Sequence, residues 1–236
     1  MKDMKFGEER GRRWLTVNYN NKEIKYSYPP VQGRYTDCFQ KINSDSELKP
    51  ANGLELALLT AGAFSRKQPE WEDIKEKGII QNYIRIPKRA LWIPKKHEFA
   101  GVFLEEDSEG KGLSTKMKIP KDINGWKEQN GIYISKDKIL IFIPDGKYKL
   151  ENYDKDSFVR DGLAIGQLTE EGAEIFNKTA YDNQRIPRLF GLDINQISKP
   201  EQRVSALGTD YSGGGLGLVA GLGGGDAVGF AFGVKK

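Results

Sequence analysis

The sequence has 236 residues, of which 38% are hydrophobic and 30% charged, so the chain can bury one good core or two small ones and is not wholly disordered. Its net charge of +4 permits an acidic partner without requiring one, because 37 basic residues stand against 33 acidic ones. Cys38 is the only cysteine and His97 the only histidine, which excludes an intramolecular disulfide and, in effect, a zinc site built from Cys and His.

A lone cysteine is typical of a reducing compartment. The N-terminal residues MKDMKFGEERGRRW lack the apolar stretch of a secretory signal peptide. We therefore expect a cytoplasmic protein. No motif in the sequence calls for a cofactor.

Residues 12–28, RRWLTVNYNNKEIKYSY, predict a β-hairpin, since aromatic and β-branched residues flank Asn20-Asn21, a pair that tolerates the positive φ of a tight turn. Pro29-Pro30 should end the second strand. A helix should begin after Asn52, which is a favoured N-cap and forms a capping-box spacing with Glu55. The segment that follows, GLELALLTAGAF, is apolar on nearly every side and too short to span a bilayer, so we expect a buried core helix.

Two more helices are expected further along the chain. Pro69 suits a first helical turn, and Gly78 is placed to stop a helix that runs from Pro69 to Lys77. A third helix should run from about Thr169, its N-cap, to Thr179.

Between residues 79 and 150 the pattern changes to short strands: IIQNYIRI, RALWI, EFAGVFLE, GIYIS and KILIFI, each bounded by turn residues such as Pro87 and Asn130-Gly131. Successive short strands favour an antiparallel meander. The fold class predicted for residues 1–236 is therefore a single α+β domain, mostly antiparallel sheet with three to four helices, one of them fully buried. A division into an N-terminal α/β part, 12–78, and a β-rich part, 79–236, is the alternative.

The segment 213–234, GGGLGLVAGLGGGDAVGFAFGV, alternates glycine or alanine with bulky residues, which is the period of a strand. A helix would carry about 1 kcal/mol of cost per glycine, so a C-terminal β-hairpin with GGGD as its turn is favoured. Its bare glycine face implies a close neighbour. Three neighbours are considered. The first is a helix of the same chain, and the second is another subunit or an extended ligand. The third is lipid, if the hairpin inserts into a membrane.

Residues 79–97 contain no acidic side chain. Basic groups neutralise phosphates and an exposed aromatic ring stacks on a base, so this region predicts a polyanion-binding strand that uses Arg85, Lys88, Arg89, Trp92, Lys95 and Lys96. An edge strand protected from aggregation by lysines would have the same pattern.

Other chemical patterns are weaker. Gly110-Lys111-Gly112 misses the spacing of a phosphate-binding loop, and the run from Asn152 to Asp156 misses the glycine and glutamate of a calcium loop. Four acidic residues lie close together in the sequence: Glu105, Glu106, Asp107 and Glu109. Such a cluster has the composition of a site for a hard divalent ion, although a solvated turn explains it better.

These patterns favour a non-enzymatic cytoplasmic binding or assembly protein that contacts nucleic acid or an acidic protein through its basic strand region, without a membrane partner. The glycine-rich hairpin would pack on the core or form a homo-oligomer. The alternative is a small carboxylate-dependent hydrolase or transferase, with or without a metal ion. It would require a pocket in which at least two acidic residues converge from the set Asp107, Glu109, Asp154, Asp156 and Asp161.

Overall fold

A computed structural model describes residues 4–209, 215–223 and 228–236. The strands are β1 Met4–Glu9, β2 Arg12–Tyr19, β3 Lys22–Tyr28, β4 Val31–Gly33, β5 Leu48–Pro50, β6 Tyr83–Ile93, β7 Gly101–Glu106, β8 Lys127–Gln129, β9 Ile132–Ile134, β10 Leu140–Pro144, β11 Ile186–Phe190, β12 Glu201–Thr209, β13 Gly215–Leu222, β14 Gly229–Ala231 and β15 Gly233–Lys235. The helices are α1 Tyr35–Asn43, α2 Gly53–Ser65, α3 Pro69–Asp73, α4 Gly162–Leu168 and α5 Glu170–Asp182, with a π-helix at Ile74–Ile80 and a 3₁₀ helix at Phe158–Arg160.

Two sheets organise these elements. The first has the strand order β1-β2-β3-β15-β5, and the second runs β11-β13-β12-β6-β7-β10-β9-β8, with β14 pairing β6 and β4. Among the described residues, all the strand pairings are antiparallel except β11 with β13 and β14 with β6. The predicted α+β class with mostly antiparallel sheet is therefore confirmed. The β2–β3 hairpin turns at Asn20 and Asn21, which have φ of 47° and 61°.

Helix α2 lies in the main core, as predicted. The Asn52 side chain accepts a hydrogen bond from Glu55 N at 2.9 Å, and the Glu55 carboxylate accepts one from Asn52 N at 2.7 Å. Leu56 and Leu59 are fully buried, and Tyr26 on β3 donates to Glu55 O at 2.6 Å. Helix α2 therefore joins the first sheet to the interior.

The second predicted helix continues past its expected stop. After α3, residues Ile74–Ile80 form a π-helix that includes Gly78, and Gln81 N donates to Glu76 O at 2.9 Å, five residues back. The wider turn brings both Ile74 and Ile79 into the core, where they are 1% and 0% exposed. Burial of Ile79 thus outweighs the tendency of glycine to end the helix.

The third predicted helix is present as α5. Its N-cap is Thr169, as expected, and the hydroxyl accepts a hydrogen bond from Gly172 N at 3.2 Å. The helix runs three residues beyond Thr179, to Asp182.

Strand β6 passes through Pro87, where two separate strands were expected. Arg89 pairs with Val204 of β12 and Ile86 pairs with Ser205, so Pro87 and Lys88 form a bulge in the ladder. A bulge leaves a residue unpaired, and proline, which has no N–H to donate, is tolerated there. The Pro87 carbonyl instead accepts a hydrogen bond from Asp107 N at 2.7 Å.

The described parts of the glycine-rich C-terminus, residues 215–223 and 228–236, form strands and not a helix. Strand β13 pairs antiparallel with β12, which gives a C-terminal hairpin, and it pairs parallel with β11. Strand β14 joins β4 and β6 instead of pairing with β13, and the predicted GGGD turn lies largely outside the described residues.

The bulky side of β13 faces the core through Leu216 and Leu218. On its bare side, a β-carbon at Gly217 would stand 2.8 Å from the Phe190 ring, and one at Gly221 would stand 3.2 Å from the backbone of Gly191. The close neighbour of these two glycines is therefore β11 and the residue after it, a part of the same chain that is not helical.

Candidate polyanion-binding site

Four of the six residues predicted to bind a polyanion lie inside the protein. Arg85 and Arg89 are each 3% exposed, Lys88 is 8% exposed and Trp92 is fully buried. The alternation of β6 does not bring these side chains to the surface, because both faces of the strand are covered. The predicted surface therefore retains only Lys95 and Lys96, which are exposed.

Arg89 holds the segment after β7 against β6. Its guanidinium donates to Thr115 O at 2.7 Å and to Gly112 O at 3.2 Å, and it pairs with the Glu105 carboxylate. Asp107, 2% exposed, lies 4.0 Å from Arg89 Nε and accepts hydrogen bonds from Lys111 N and Gly112 N. Two members of the predicted acidic cluster, Glu105 and Asp107, thus share the buried Arg89 as a partner.

Lys88 and Glu106 form a second internal pair. Lys88 Nζ donates to Gly166 O at 2.7 Å and lies 3.6 Å from the Glu106 carboxylate. Burial lowers the pKa of Lys88 and raises the pKa of Glu106. The lysine therefore joins β6 to helix α4.

Trp92 and Arg85 also make their contacts inside the protein. Trp92 Nε1 donates to Ala220 O at 2.7 Å, which connects β6 to β13. Arg85 lies beside Gly229 of β14, where a β-carbon would stand 2.8 Å from the guanidinium Nε. Burial lowers the pKa of Arg85. A strand in the middle of a sheet uses these polar groups to bind its neighbours.

A separate apolar cluster lies on the outer face of the second sheet, the face opposite the main core. Along β7, Val102 and Leu104 face the main core while Phe103 faces the opposite side, as the period of two requires. The irregular segment 107–126 covers that opposite side. The resulting outer cluster consists of Leu91, Ile93, Phe99, Phe103, Met117, Ile119, Ile123, Trp126, Tyr133, Leu140 and Phe142.

Aromatic contacts order the outer cluster. Phe103 and Phe142 stack with ring centroids 4.6 Å apart. Trp126 meets the Phe103 ring edge to face at 6.3 Å, and Phe99 meets Phe142 edge to face at 5.8 Å. Phe99 belongs to the loop that carries Lys95 and Lys96, so the loop and the Trp126 segment pack on the same cluster.

Beside this cluster is a cleft of about 490 Å³, called here the Trp126 cleft. Trp126 is half-buried and forms one wall. Lys136 lies across Gly125, where a β-carbon would be 3.2 Å from Lys136 Cε. The cleft is lined by Lys118, Pro120, Asn124, Trp126, Ser135, Lys136, Asp137 and Leu140.

Asp137 is the acidic group of the cleft. The Asp137 carboxylate accepts a hydrogen bond from Ser135 Oγ at 2.6 Å and another from Ile139 N at 3.1 Å. These two hydrogen bonds, that from Ser135 most, lower the pKa of Asp137. Its charge thus fixes the turn between β9 and β10.

Six exposed lysines lie in residues 116–138, the segment that supplies most of the cleft lining, and two of the six line the cleft itself. They define the lysine face: Lys116, Lys118, Lys121, Lys127, Lys136 and Lys138. Within the described part of the chain, none of the six forms an ion pair. By contrast, Lys111 pairs with Glu109 at 2.9 Å and Lys95 with Asp145 at 3.5 Å. A signal for this face exists in the sequence, since residues 111–138 contain seven lysines and three acidic residues.

A second cleft of about 640 Å³ brings together Asp154, Asp156 and Asp161, with Lys147, Lys149 and Arg160 also in its wall. Asp107 and Glu109, the other acidic candidates, do not line it. Asp154 accepts hydrogen bonds from Asp156 N at 3.0 Å and Ser157 N at 2.8 Å. Among the residues placed by the structure, no group of three or more His, Cys, Asp or Glu is arranged to hold a metal ion.

Asp161 is the N-cap of α4. It accepts hydrogen bonds from Leu163 N at 2.7 Å, Lys149 N at 2.9 Å and the Tyr153 hydroxyl at 2.5 Å. Burial raises the pKa of Asp161, and these donors oppose the rise. The carboxylate therefore fastens residues 149–153 to the start of the helix.

Comparison with known proteins gives little further information. No protein-family model matches the sequence, and no curated protein is significantly similar to it. One solved structure is similar to this chain, and its description reads "Accommodation of massive sequence variation in Nanoarchaeota by the C-type lectin fold". The similarity covers 92% of this chain and 99% of that chain, at 15% identity and a TM-score of 0.49. No helix in the described ranges is long and apolar enough to cross a membrane.

Proposed function

We propose that this chain is a non-enzymatic binding protein that binds a polyanion at the lysine face. The observation that carries the proposal is the group of six exposed lysines without ion-pair partners in the described residues. Binding a polyanion to such a face releases the counterions condensed on the polyanion, which is a large favourable term at low salt.

The positions of the lysines support a common surface. Lys118 and Lys136 line the same cleft although 17 residues separate them in the chain. Lys136 and Lys138 belong to the turn between β9 and β10, and Lys127 begins β8, the last strand of the second sheet. The outer cluster beneath them fixes the backbone that carries these flexible side chains.

Titration of fluorescein-labelled heparin in low salt tests the proposal, with fluorescence anisotropy as the readout. Replacing Lys118 and Lys136 with glutamate should weaken binding by at least tenfold, because two attractions become two repulsions. The matched control replaces Lys22 and Lys67, which are exposed and unpaired in the described structure, and changes the net charge equally. Equal losses in both variants would overturn the assignment to this face, and no binding by the unmodified protein would overturn the function.

The alternative function is a carboxylate-dependent hydrolase or transferase. The observation that favours it is the convergence of Asp154, Asp156 and Asp161 on one cleft of about 640 Å³. Its weakness is that Asp154 and Asp161 already accept backbone hydrogen bonds as turn and helix caps. A panel of nitrophenyl esters and phosphates tests it: turnover abolished by Asp156→Asn without a change in stability would favour the enzyme.

The proposal extends to the partner and the compartment. A cytoplasmic nucleic acid or an acidic protein would meet the lysine face. A homo-oligomer would use a surface other than the bare side of β13, because Phe190 and Gly191 already cover that side at Gly217 and Gly221. The buried Cys38 thiol agrees with a reducing compartment. Fractionation of the cells that make the protein tests the location.

A further inference from the structure

We propose that the polyanion is single-stranded nucleic acid, and that one of its bases stacks on Trp126 in the Trp126 cleft. This inference rests on the proposed binding at the lysine face and names its ligand. It is carried by an aromatic wall in the same cleft as two cationic side chains that would hold a phosphate backbone.

Trp126 differs from the other three tryptophans of the chain. Trp14 is 4% exposed, and Trp71 and Trp92 are fully buried, whereas Trp126 is half-buried in the wall of an open cleft. The Trp126 ring makes an edge-to-face contact with Phe103, with ring centroids 6.3 Å apart. The backbone N–H of Trp126 donates a hydrogen bond to Ile123 O at 3.1 Å. The indole is thus held in place before a ligand arrives.

The composition of the cleft fits a nucleobase. Trp126, Pro120 and Leu140 give it apolar walls, and Asn124 adds a neutral polar group. The acidic group in the lining, Asp137, is already held by the Ser135 hydroxyl and by Ile139 N. The volume of about 490 Å³ lies in the range of small-ligand sites. Asn124 donates its backbone N–H to Asp122 at 2.9 Å, while its side-chain amide makes no hydrogen bond in the described structure, so the amide is available to a base edge.

Lys118 and Lys136 line this same cleft, and two lysines in the same cleft as an aromatic ring suit a strand whose phosphates alternate with bases. Single strands expose the π-face of each base, so that stacking adds to the electrostatic attraction. Duplex nucleic acid keeps its bases stacked inside, and heparin has no bases. Both of these polyanions would therefore contact the lysines without using Trp126.

Intrinsic tryptophan fluorescence tests the inference in the intact protein, because Trp126 is the accessible indole. Three probes are titrated at low salt: a single-stranded 12-mer oligonucleotide, the corresponding duplex and heparin. The single strand should quench the emission strongly, and the duplex and heparin should leave it nearly unchanged. Quenching should disappear in Trp126→Phe, which keeps the contact with Phe103.

Affinity measurements with Trp126→Ala complete the test. We expect single-strand binding to weaken roughly fivefold or more, the lower end for loss of one stacked base, with heparin affinity unchanged. Unchanged single-strand affinity and absent quenching, with heparin still bound, would overturn this inference and leave the proposed function standing. Failure of the unmodified protein to bind all three probes would overturn both. If Trp126→Ala does not fold, quenching in the intact protein and its loss in Trp126→Phe decide the matter.

Discussion

Replacing Arg89 with methionine should destabilise the fold and leave the affinity of the folded protein for heparin unchanged. Arg89 is 3% exposed, so methionine fills much of its space while removing the charge that faces Glu105 and Asp107. Removal of one partner from a buried ion pair costs about 3–5 kcal/mol. Asp107 keeps two backbone donors, and Gln202 Nε2 still donates to Gly112 O at 3.0 Å and Thr115 O at 2.9 Å, so we expect about 3 kcal/mol.

Urea unfolding followed by circular dichroism measures this loss, and Arg89→Lys provides the comparison. A lysine keeps the charge but cannot reproduce the guanidinium fork, so its cost should be about 1–2 kcal/mol. A loss below about 1 kcal/mol in Arg89→Met would refute the structural role. So would weaker heparin binding by a fully folded Arg89→Lys protein, because it would return Arg89 to the binding surface.

Three other outcomes are expected. Asp161→Ala should lower the free energy of unfolding by about 3 kcal/mol, from the lost cap and the stranded Tyr153 and Lys149 donors, and a urea midpoint equal to that of the unmodified protein would contradict this. Burial raises the pKa of Cys38 to about 11, so a thiol reagent at pH 8 should modify it only after unfolding; equally rapid labelling of the folded protein would contradict its burial. Glutamates at Lys95 and Lys96 should weaken heparin binding less than glutamates at Lys118 and Lys136, since Asp145 already neutralises Lys95 in part; the reverse order would move the site to the 94–100 loop.

Local signals in the sequence predicted local structure well. Asn52 and Glu55 form the expected capping box because all of its atoms come from four consecutive residues. The alternation in residues 213–234 predicted strands, since a period of two is a property of the segment itself. Strands β13, β14 and the start of β15 lie in the described part of that segment. Helix α2 was recognised as a core helix because it has almost no polar side to place in water.

Contacts between residues far apart in the sequence determine the features that the sequence alone did not predict. Pro87 marks a strand end in isolation, but the partner strands β7 and β12 accommodate it with a bulge and an inter-strand hydrogen bond. The basic residues of β6 looked exposed because lysine and arginine are rarely buried. They are buried because Glu105, Glu106 and carbonyl groups from distant segments meet them, and a single-sequence pattern does not contain that information.

The lysine face had a compositional signal, the excess of lysine in residues 111–138, but not a positional one. Lys118 and Lys136 come together only when the segment 107–126 folds over the outer cluster. Trp126 follows Gly125, and no motif in the sequence around it indicates a binding site. Its place beside two lysines is a tertiary feature.

The salt dependence of oligonucleotide affinity tests the central claim most directly. For a single strand, the logarithm of the binding constant falls with the logarithm of salt concentration by about 0.7 per phosphate neutralised. Contact by all six lysines predicts a slope of roughly −4, and Lys118→Glu with Lys136→Glu should reduce its magnitude by about 1.4 or more, while the Lys22 and Lys67 control keeps the original slope. A slope that is the same in all three proteins would contradict binding at the lysine face.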